Sequence, residues 1–179
     1  MSSRFVLKWK YVKVGEASVR TIRARMALRG FQDLDKENVE TYAGTASRLS
    51  QRILASQCAT EEGWELGTLD VSKAFLQGMT YEKIAQLTGE PLRVVHFALP
   101  PGAAQLLRRL PGFEDYDENK ECLRCVKPGT GTVDTPRGFS LQLKEIIHGA
   151  AGWTPTTVDL EMHFKFHQEK ASGNDCGAR

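Results

Sequence analysis

The chain has 179 residues, 41% of them hydrophobic, which is enough to bury one sizeable core. Its 24 lysines and arginines nearly balance 22 aspartates and glutamates, so a net charge of +2 does not by itself indicate a polyanionic partner. The four cysteines lack the density of a secreted disulfide framework, there is no apolar leader, and no apolar run approaches the roughly 20 residues that cross a bilayer. We therefore expect an intracellular protein, cytoplasmic or nuclear, that is neither secreted nor embedded in a membrane.

The first 32 residues are locally basic, with eight lysines and arginines against one acid, Glu16. Residues 5–12 and 18–28 are rich in β-branched, aromatic and basic side chains, and the break at Gly15 between them predicts a basic β-hairpin. Such a hairpin either contacts the phosphates of a nucleic acid or forms a solvated edge that its charges keep soluble.

The next segment, residues 46–78, contains a carboxylate, Asp70, that lies between two aliphatic residues. Apolar residues recur at intervals of three and four over 46–60, which predicts an amphipathic helix. Residues 64–71 have the composition of a strand that would carry Asp70 near its carboxyl end, and 72–78 follow as a turn or a single helical turn. An aspartate in that place either ligates a metal or caps the turn through neighbouring amide groups.

Further elements are predicted beyond this turn. In chain order they are a short helix over 80–87 closed by Gly89, a strand over 92–99, a strand over 122–126, a helix over 135–147 and a cleanly alternating strand over 158–166. The tail, residues 169–179, has nothing to bury and is predicted to be disordered.

Two cysteines and two histidines imitate a zinc signature. They are Cys122-x-x-Cys125 and His163-x-x-x-His167, but 37 residues lie between Cys125 and His163, against roughly 12–15 in a zinc finger. On a strand, Cys122 and Cys125 would also point to opposite faces. This combination is therefore not interpreted as a zinc site.

Several segments, taken in order, resemble the reverse transcriptase of copia-type LTR retrotransposons. The resemblance covers roughly residues 4–166, and it is carried by ARMALRGF (24–31), GWEL (63–66), LDVSKAFLQG (69–78), LPPG (99–102) and GTVDTPR (131–137). It implies an α+β fold, a fragment of the right-hand polymerase made of fingers and part of the palm, mainly antiparallel sheet with packed helices. Residues 1–45 would be a basic fingers hairpin region, and 46–168 a partial palm with the LDV motif and connecting fingers elements.

The resemblance also implies a chemistry for Asp70. In this family the aspartate of LDV is a catalytic metal ligand, with the carbonyl of Val71 as a further oxygen. Two divalent cations, Mg²⁺ or Mn²⁺, bridge the attacking and leaving oxygens in nucleotidyl transfer. The fragment is not expected to hold them tightly by itself.

Substrate contacts follow from the same resemblance. Arg23 and Arg25 match basic residues that grip the incoming deoxynucleoside triphosphate, as a planar guanidinium can. The backbone of Ser72 and Lys73 would face the triphosphate, and Phe75 would pack under the sugar and exclude a ribose 2′-hydroxyl.

Two further groups are expected to contact nucleic acid. Lys8, Lys10 and Arg29 belong to the basic hairpin region and would contact the phosphates of an RNA or DNA template–primer, with Lys8 and Lys10 as the weaker candidates that are alternatively only solvated. Gly131, Pro136 and Arg137 match a motif that packs near the templating base, although Val133 and Asp134 stand where the family usually has a lysine and a glutamine.

The family's Tyr-x-Asp-Asp hairpin, which supplies the remaining metal carboxylates, has no counterpart in the sequence. The expected function is therefore that of a fragment of an RNA-directed DNA polymerase that is inactive alone. The alternative is a non-enzymatic nucleic-acid-binding or interaction protein that reuses the fold. If the palm sheet lacks its hairpin, the strand over 158–166 would have a free edge, through which the chain would self-associate.

Overall fold

The computed structural model describes residues 1–166, which divide into two units. Unit 1 comprises Met1–Ala43 with Leu69–Leu143, and unit 2 comprises 44–68 with the residues from 144 on. The elements are β1 Ser3–Val14, β2 Ala17–Leu28, α1 Arg48–Thr60, α2 Tyr81–Thr88, β3 His96–Phe97, α3 Ala104–Leu107, β4 Leu123–Arg124, α4 Thr135–Glu145, β5 Thr154–Pro155 and β6 His163–Phe164. The predicted mixture of helices with antiparallel sheet is confirmed at this level. Within the described range, none of the helices has the length and apolar character of a membrane span.

The predicted hairpin is the longest element of the structure. β1 and β2 pair without interruption from Ser3 opposite Leu28 to Val14 opposite Ala17, and the turn uses Gly15 at a φ of +63°. Only the base of the hairpin is buried, at Ser3 and Leu28. The Ser3 hydroxyl donates to the Ala98 carbonyl oxygen over 2.7 Å, which fixes this base to the remainder of unit 1.

The two faces of the hairpin differ in chemistry because side chains alternate along each strand and paired residues share a face. The basic face carries Arg4, Lys8, Lys10, Arg23 and Arg25. The aromatic face carries Phe5, Leu7, Trp9, Tyr11, Ile22 and Met26, together with Lys13 and Arg20 near the turn. The Arg20 guanidinium lies over the Trp9 ring, 4.1 Å from its centroid. Both faces are exposed: Trp9 retains 55% and Tyr11 66% of their accessible surface.

The core of unit 1 lies at the base of the hairpin. It consists of Leu28, Tyr81, Val95, Phe97 and Cys125, and β3 pairs with β4 beside it. The predicted helix over 80–87 is confirmed as α2. Thr80 Oγ1 accepts a hydrogen bond from the Lys83 amide at its start, and Gly89 ends it at a φ of +73°.

Three strand predictions are wrong in extent, and a fourth is wrong altogether. The strands over 92–99, 122–126 and 158–166 shrink to the two-residue β3, β4 and β6, and residues 64–71 form no strand at all. Leu69 and Val158 retain 93% and 91% of their accessible surface, so alternation and β-branched content do not reflect burial there. A strand also needs a partner for its ladder, and the described residues form only three two-stranded sheets. The nine-residue free edge expected to drive self-association is therefore absent.

Unit 2 contains α1, the end of α4, β5 and β6. The helix predicted over 46–60 is confirmed as α1, with Ser47 as its N-cap. Asp159 accepts from the Ser47 amide at 2.8 Å, the Ser50 hydroxyl at 2.5 Å and the Glu161 amide at 3.0 Å. These hydrogen bonds, that from Ser50 first, lower the pKa of Asp159 to about 2. The tail predicted to be disordered and His167 lie outside the described residues.

Candidate nucleotide-binding and nucleic-acid-binding site

A cavity of about 630 Å³ in unit 1 brings together four residues for which nucleotide contacts are predicted. Arg23, Arg25, Lys73 and Phe75 all line it. Arg23 and Arg25 come from β2, and Lys73 and Phe75 from the LDVSKAFLQG segment, so chain segments nearly fifty residues apart meet here. Four consecutive residues of β2, from Arg23 to Met26, border the cavity. Since successive side chains of a strand point to opposite faces, the cavity runs along the strand's free edge.

The second wall is a short 3₁₀ turn, Ala74–Gln77, which confirms the predicted helical turn. Lys73 precedes it at a φ of +52°, and it is the one non-glycine residue with positive φ among those described. Gln77 Nε2 donates to the Ser72 carbonyl oxygen at 2.6 Å, and Lys127 Nζ donates to that of Leu76 at 3.0 Å. These bonds stabilise the turn that carries Lys73 and Phe75 at the cavity.

The floor of the cavity is apolar. It includes Leu28, Phe97 and Cys125, three members of the core. Burial raises the pKa of the Cys125 thiol, and the negative charge of Asp134 adds to the effect. A buried thiol whose pKa is raised is suited to packing in the core.

Asp70 does not lie in this cavity, and neither do Val71 and Ser72. Asp70 is exposed in a segment without regular structure, so the predicted delivery of its carboxylate by a strand end is wrong. No group of three or more histidine, cysteine, aspartate or glutamate side chains within residues 1–166 is arranged to hold a metal ion. A two-metal centre requires several convergent carboxylates. The donor set around Asp70 therefore does not fit such a centre.

Of the three residues that match the motif near the templating base, Gly131 and Arg137 have hydrogen-bond partners in unit 1. Gly131 lies at a φ of +102°, and its carbonyl oxygen accepts from the Gly30 amide at 3.1 Å. Pro136 is in the first turn of α4. Arg137 donates to both carboxylate oxygens of Glu90, at 2.6 and 2.8 Å, and its side chain is only 12% exposed. Its guanidinium is thus largely engaged within unit 1.

A buried ionic group beside α4 was missed by sequence reasoning. Arg93 is hydrogen-bonded to Asp33, and its Nε lies 3.2 Å from Asp134 Oδ2. Burial and the charge of Asp134 raise the pKa of the nearby Tyr81 hydroxyl. The available signal was a single arginine inside the apolar stretch 92–99. Asp134 thus has a charged partner in unit 1.

The residues predicted to bind nucleic acid are distributed along the hairpin and its base. Lys8 lies opposite Arg23 on the basic face, and Lys10 lies opposite Thr21. Arg29 is half-buried at the base, where its backbone amide donates to the Ser2 carbonyl oxygen at 3.0 Å. Lys8 and Lys10 therefore extend the positive charge of Arg23 and Arg25 along one exposed surface.

Comparison with known proteins gives no relative: no protein-family model, no curated protein and no solved structure matches the chain.

Proposed function

We propose that this chain is a fragment of a copia-type reverse transcriptase that binds a deoxynucleoside triphosphate in the cavity and a template–primer along the basic face. The observation that carries the proposal is the convergence of Arg23, Arg25, Lys73 and Phe75 on one cavity. Three cationic side chains complement a triphosphate, and a guanidinium can hold two phosphate oxygens at once. A volume of about 630 Å³ lies within the range of cavities that bind small molecules.

The four residues have separate roles in this proposal. Arg23, Arg25 and Lys73 neutralise and orient the triphosphate. Phe75 packs against the sugar, where a ring leaves no room for a 2′-hydroxyl. Magnesium or manganese would supply charge stabilisation of the transferred phosphoryl group in the intact family, but Asp70 is a single exposed carboxylate. The chain alone is therefore a binding fragment without polymerase activity.

Nucleotide binding is tested by calorimetric titration of the full chain with dATP and ATP. We expect Arg23→Ala combined with Arg25→Ala to weaken dATP binding by about tenfold or more. The matched control, Arg48→Ala with Arg52→Ala, removes two exposed arginines from α1 and should leave the affinity unchanged. Phe75→Ala should reduce the preference for dATP over ATP. Equal losses in the two double variants would contradict a nucleotide site in the cavity.

Polymerase activity is tested separately with a primer–template and Mg²⁺ or Mn²⁺. We expect no templated DNA synthesis, and Asp70→Asn should leave dATP binding unchanged because Asp70 lies outside the cavity. Extension of the primer by the purified chain would overturn the proposal that it is inactive alone.

The alternative function is nucleic-acid binding without a nucleotide site, and the basic face is the observation that favours it. Both functions predict salt-dependent binding of a DNA duplex, because each phosphate contact releases counterions. Loss of Arg23 and Arg25 should reduce the slope of log affinity against log salt by about 1.8 if each contacts one phosphate. Normal duplex binding without any dATP binding would select the alternative.

A further inference from the structure

Two histidines of unit 2 lie in direct contact, and they are not the pair that the sequence pattern suggested. His148 belongs to the π-helical turn Ile146–Ala150 that follows α4, and His163 begins β6. Their Nε2 atoms are 2.8 Å apart, and the ring centroids are 4.9 Å apart at an angle of 43°. One ring must donate and the other accept, so the contact requires an unprotonated Nε2 on one of them.

Hydrogen bonds hold the backbone segments that carry the two histidines. The Trp153 amide donates to the Ile147 carbonyl oxygen at 2.9 Å, and Lys165 Nζ donates to that of Ala151 at 2.7 Å. β5 pairs with β6 through Thr154 and Phe164. The two imidazoles are therefore presented together by hydrogen-bonded segments.

We propose that His148 and His163 form a binding site for a divalent transition-metal ion of the class that imidazole prefers, with Zn²⁺ as its probe. Two imidazole nitrogens at about 2.05 Å from a tetrahedral ion are about 3.3 Å apart. The observed 2.8 Å requires the Nε2 atoms to separate by roughly half an ångström, which an exposed His148 side chain can accommodate by small rotations. Residues 1–166 offer no third histidine, cysteine, aspartate or glutamate in one group with these two, so water would supply the ligands that these residues do not.

The site is independent of the proposed nucleotide cavity, whose residues belong to unit 1. It also selects a different kind of ion. Imidazole favours Zn²⁺, Ni²⁺ and Cu²⁺, whereas Mg²⁺ prefers oxygen ligands. A chain that binds Zn²⁺ but not dATP, or the reverse, would separate the two proposals.

The test is calorimetric titration of the full chain with Zn²⁺, and with Mg²⁺ as the negative control. We expect His148→Ala and His163→Ala each to weaken Zn²⁺ binding by about tenfold or more, since each removes half of the protein ligands. His96→Ala is the matched control, because His96 is an exposed histidine of β3 in unit 1. Far-UV circular dichroism of each variant verifies that α1 and α4 remain folded.

A second readout tests the pairing directly. In ¹H–¹⁵N spectra of the imidazole rings, Zn²⁺ should shift the signals of His148 and His163 together and leave those of His96 unchanged. Zn²⁺ binding that is unaffected by both alanine variants, or that is lost only with His167→Ala or Cys122→Ala, would overturn the proposal.

Discussion

At the scale of single residues, Gly131 is fixed by its backbone. Its φ is +102°, and a Cβ there would lie 2.1 Å from the Leu28 carbonyl oxygen. We expect Gly131→Ala to lower the free energy of unfolding by about 3 kcal/mol or more, because both the backbone and the contact become strained. Gly89→Ala is the control, because Gly89 also has a positive φ but a Cβ there would face open space. This substitution should lower the free energy of unfolding by only about 1 kcal/mol. Equal costs in urea unfolding would contradict the close approach to Leu28.

The ion pair between Glu90 and Arg137 makes the stability of unit 1 depend on pH. The hydrogen bonds from Arg137 lower the pKa of Glu90 below the usual value for a glutamate. A carboxyl whose pKa is lowered by folding stabilises the fold above its unfolded pKa, and this contribution is lost as the pH falls through its folded pKa. Because Glu90 is partly exposed, the contribution should be about 1 kcal/mol at neutral pH.

The measurement is thermal unfolding of the natural chain and of Glu90→Gln between pH 7 and pH 3. At pH 7 the natural chain should melt at a higher temperature than Glu90→Gln. This difference in melting temperature should shrink as the pH falls below about 4.3, the usual pKa of a glutamate. Glu62→Gln, at an exposed position, is the control and should melt like the natural chain throughout. A difference that does not change with pH would argue against the ion pair with Arg137 as its cause.

Residue types at the cavity could be predicted from the sequence, but their surroundings could not. The segments ARMALRGF and LDVSKAFLQG supply Arg25, Lys73 and Phe75 by local pattern, and these residues do line one cavity. The contact between Arg93 and Asp134 joins residues 41 positions apart, and the sequence around either residue does not predict its partner. The position of Asp70 was wrong because it depended on a strand whose pairing partner does not exist among the described residues.

At the scale of elements, the cap of α2 is a measurable local interaction. Thr80 Oγ1 satisfies the Lys83 amide at 3.2 Å. We expect Thr80→Ala to lower the free energy of unfolding by about 1 kcal/mol, since it leaves an amide at the helix start without its partner. Thr80→Ser keeps the hydroxyl and should retain nearly all of the stability in urea unfolding. If Thr80→Ser and Thr80→Ala lower the free energy of unfolding equally, the loss would come from the packing of the threonine methyl group and not from the helix cap.

Hairpin and helices were predictable for the same reason, namely that their determinants are local. α1 and α2 have capping residues within a turn of their ends, and β1 and β2 are joined by Gly15 in a turn that sets their register. The residues 158–166 alternate more regularly than either hairpin strand, yet only His163 and Phe164 pair. The alternation of apolar and polar residues shows which face a strand could bury. Formation of the strand also requires a second segment close enough to form the backbone hydrogen bonds of a sheet.

At the scale of the whole molecule, exposed apolar surface is the feature with the clearest consequence in solution. The aromatic face of the hairpin presents Phe5, Leu7, Trp9 and Tyr11 in a row along β1. We expect the chain to self-associate through the aromatic face of the hairpin. Because this association depends on apolar contacts, it should not weaken as the salt concentration rises. Binding to nucleic acid should weaken with salt, so the two are distinguishable in one salt series.

Sedimentation velocity of the full chain at increasing concentration measures this association. Leu7→Lys should reduce it, because it adds a charge in the middle of the aromatic face. Leu34→Lys changes an almost fully exposed leucine outside the hairpin and is the matched control. If both variants associate like the natural chain, or if the chain is monomeric at all concentrations, the aromatic face is not responsible for self-association.

The left-handed backbone conformation of Lys73 makes the stability of its turn and the positive charge of the cavity depend on the same residue. Glycine would adopt a φ of +52° without the steric cost that a lysine bears, roughly 1 kcal/mol. The same replacement would remove an ammonium group from the wall of the cavity. Glycine at position 73 would therefore stabilise the turn and remove positive charge from the cavity at the same time. In the choice of stabilising substitutions for unit 1, Lys73 is a position where gain in stability and loss of anion affinity come together.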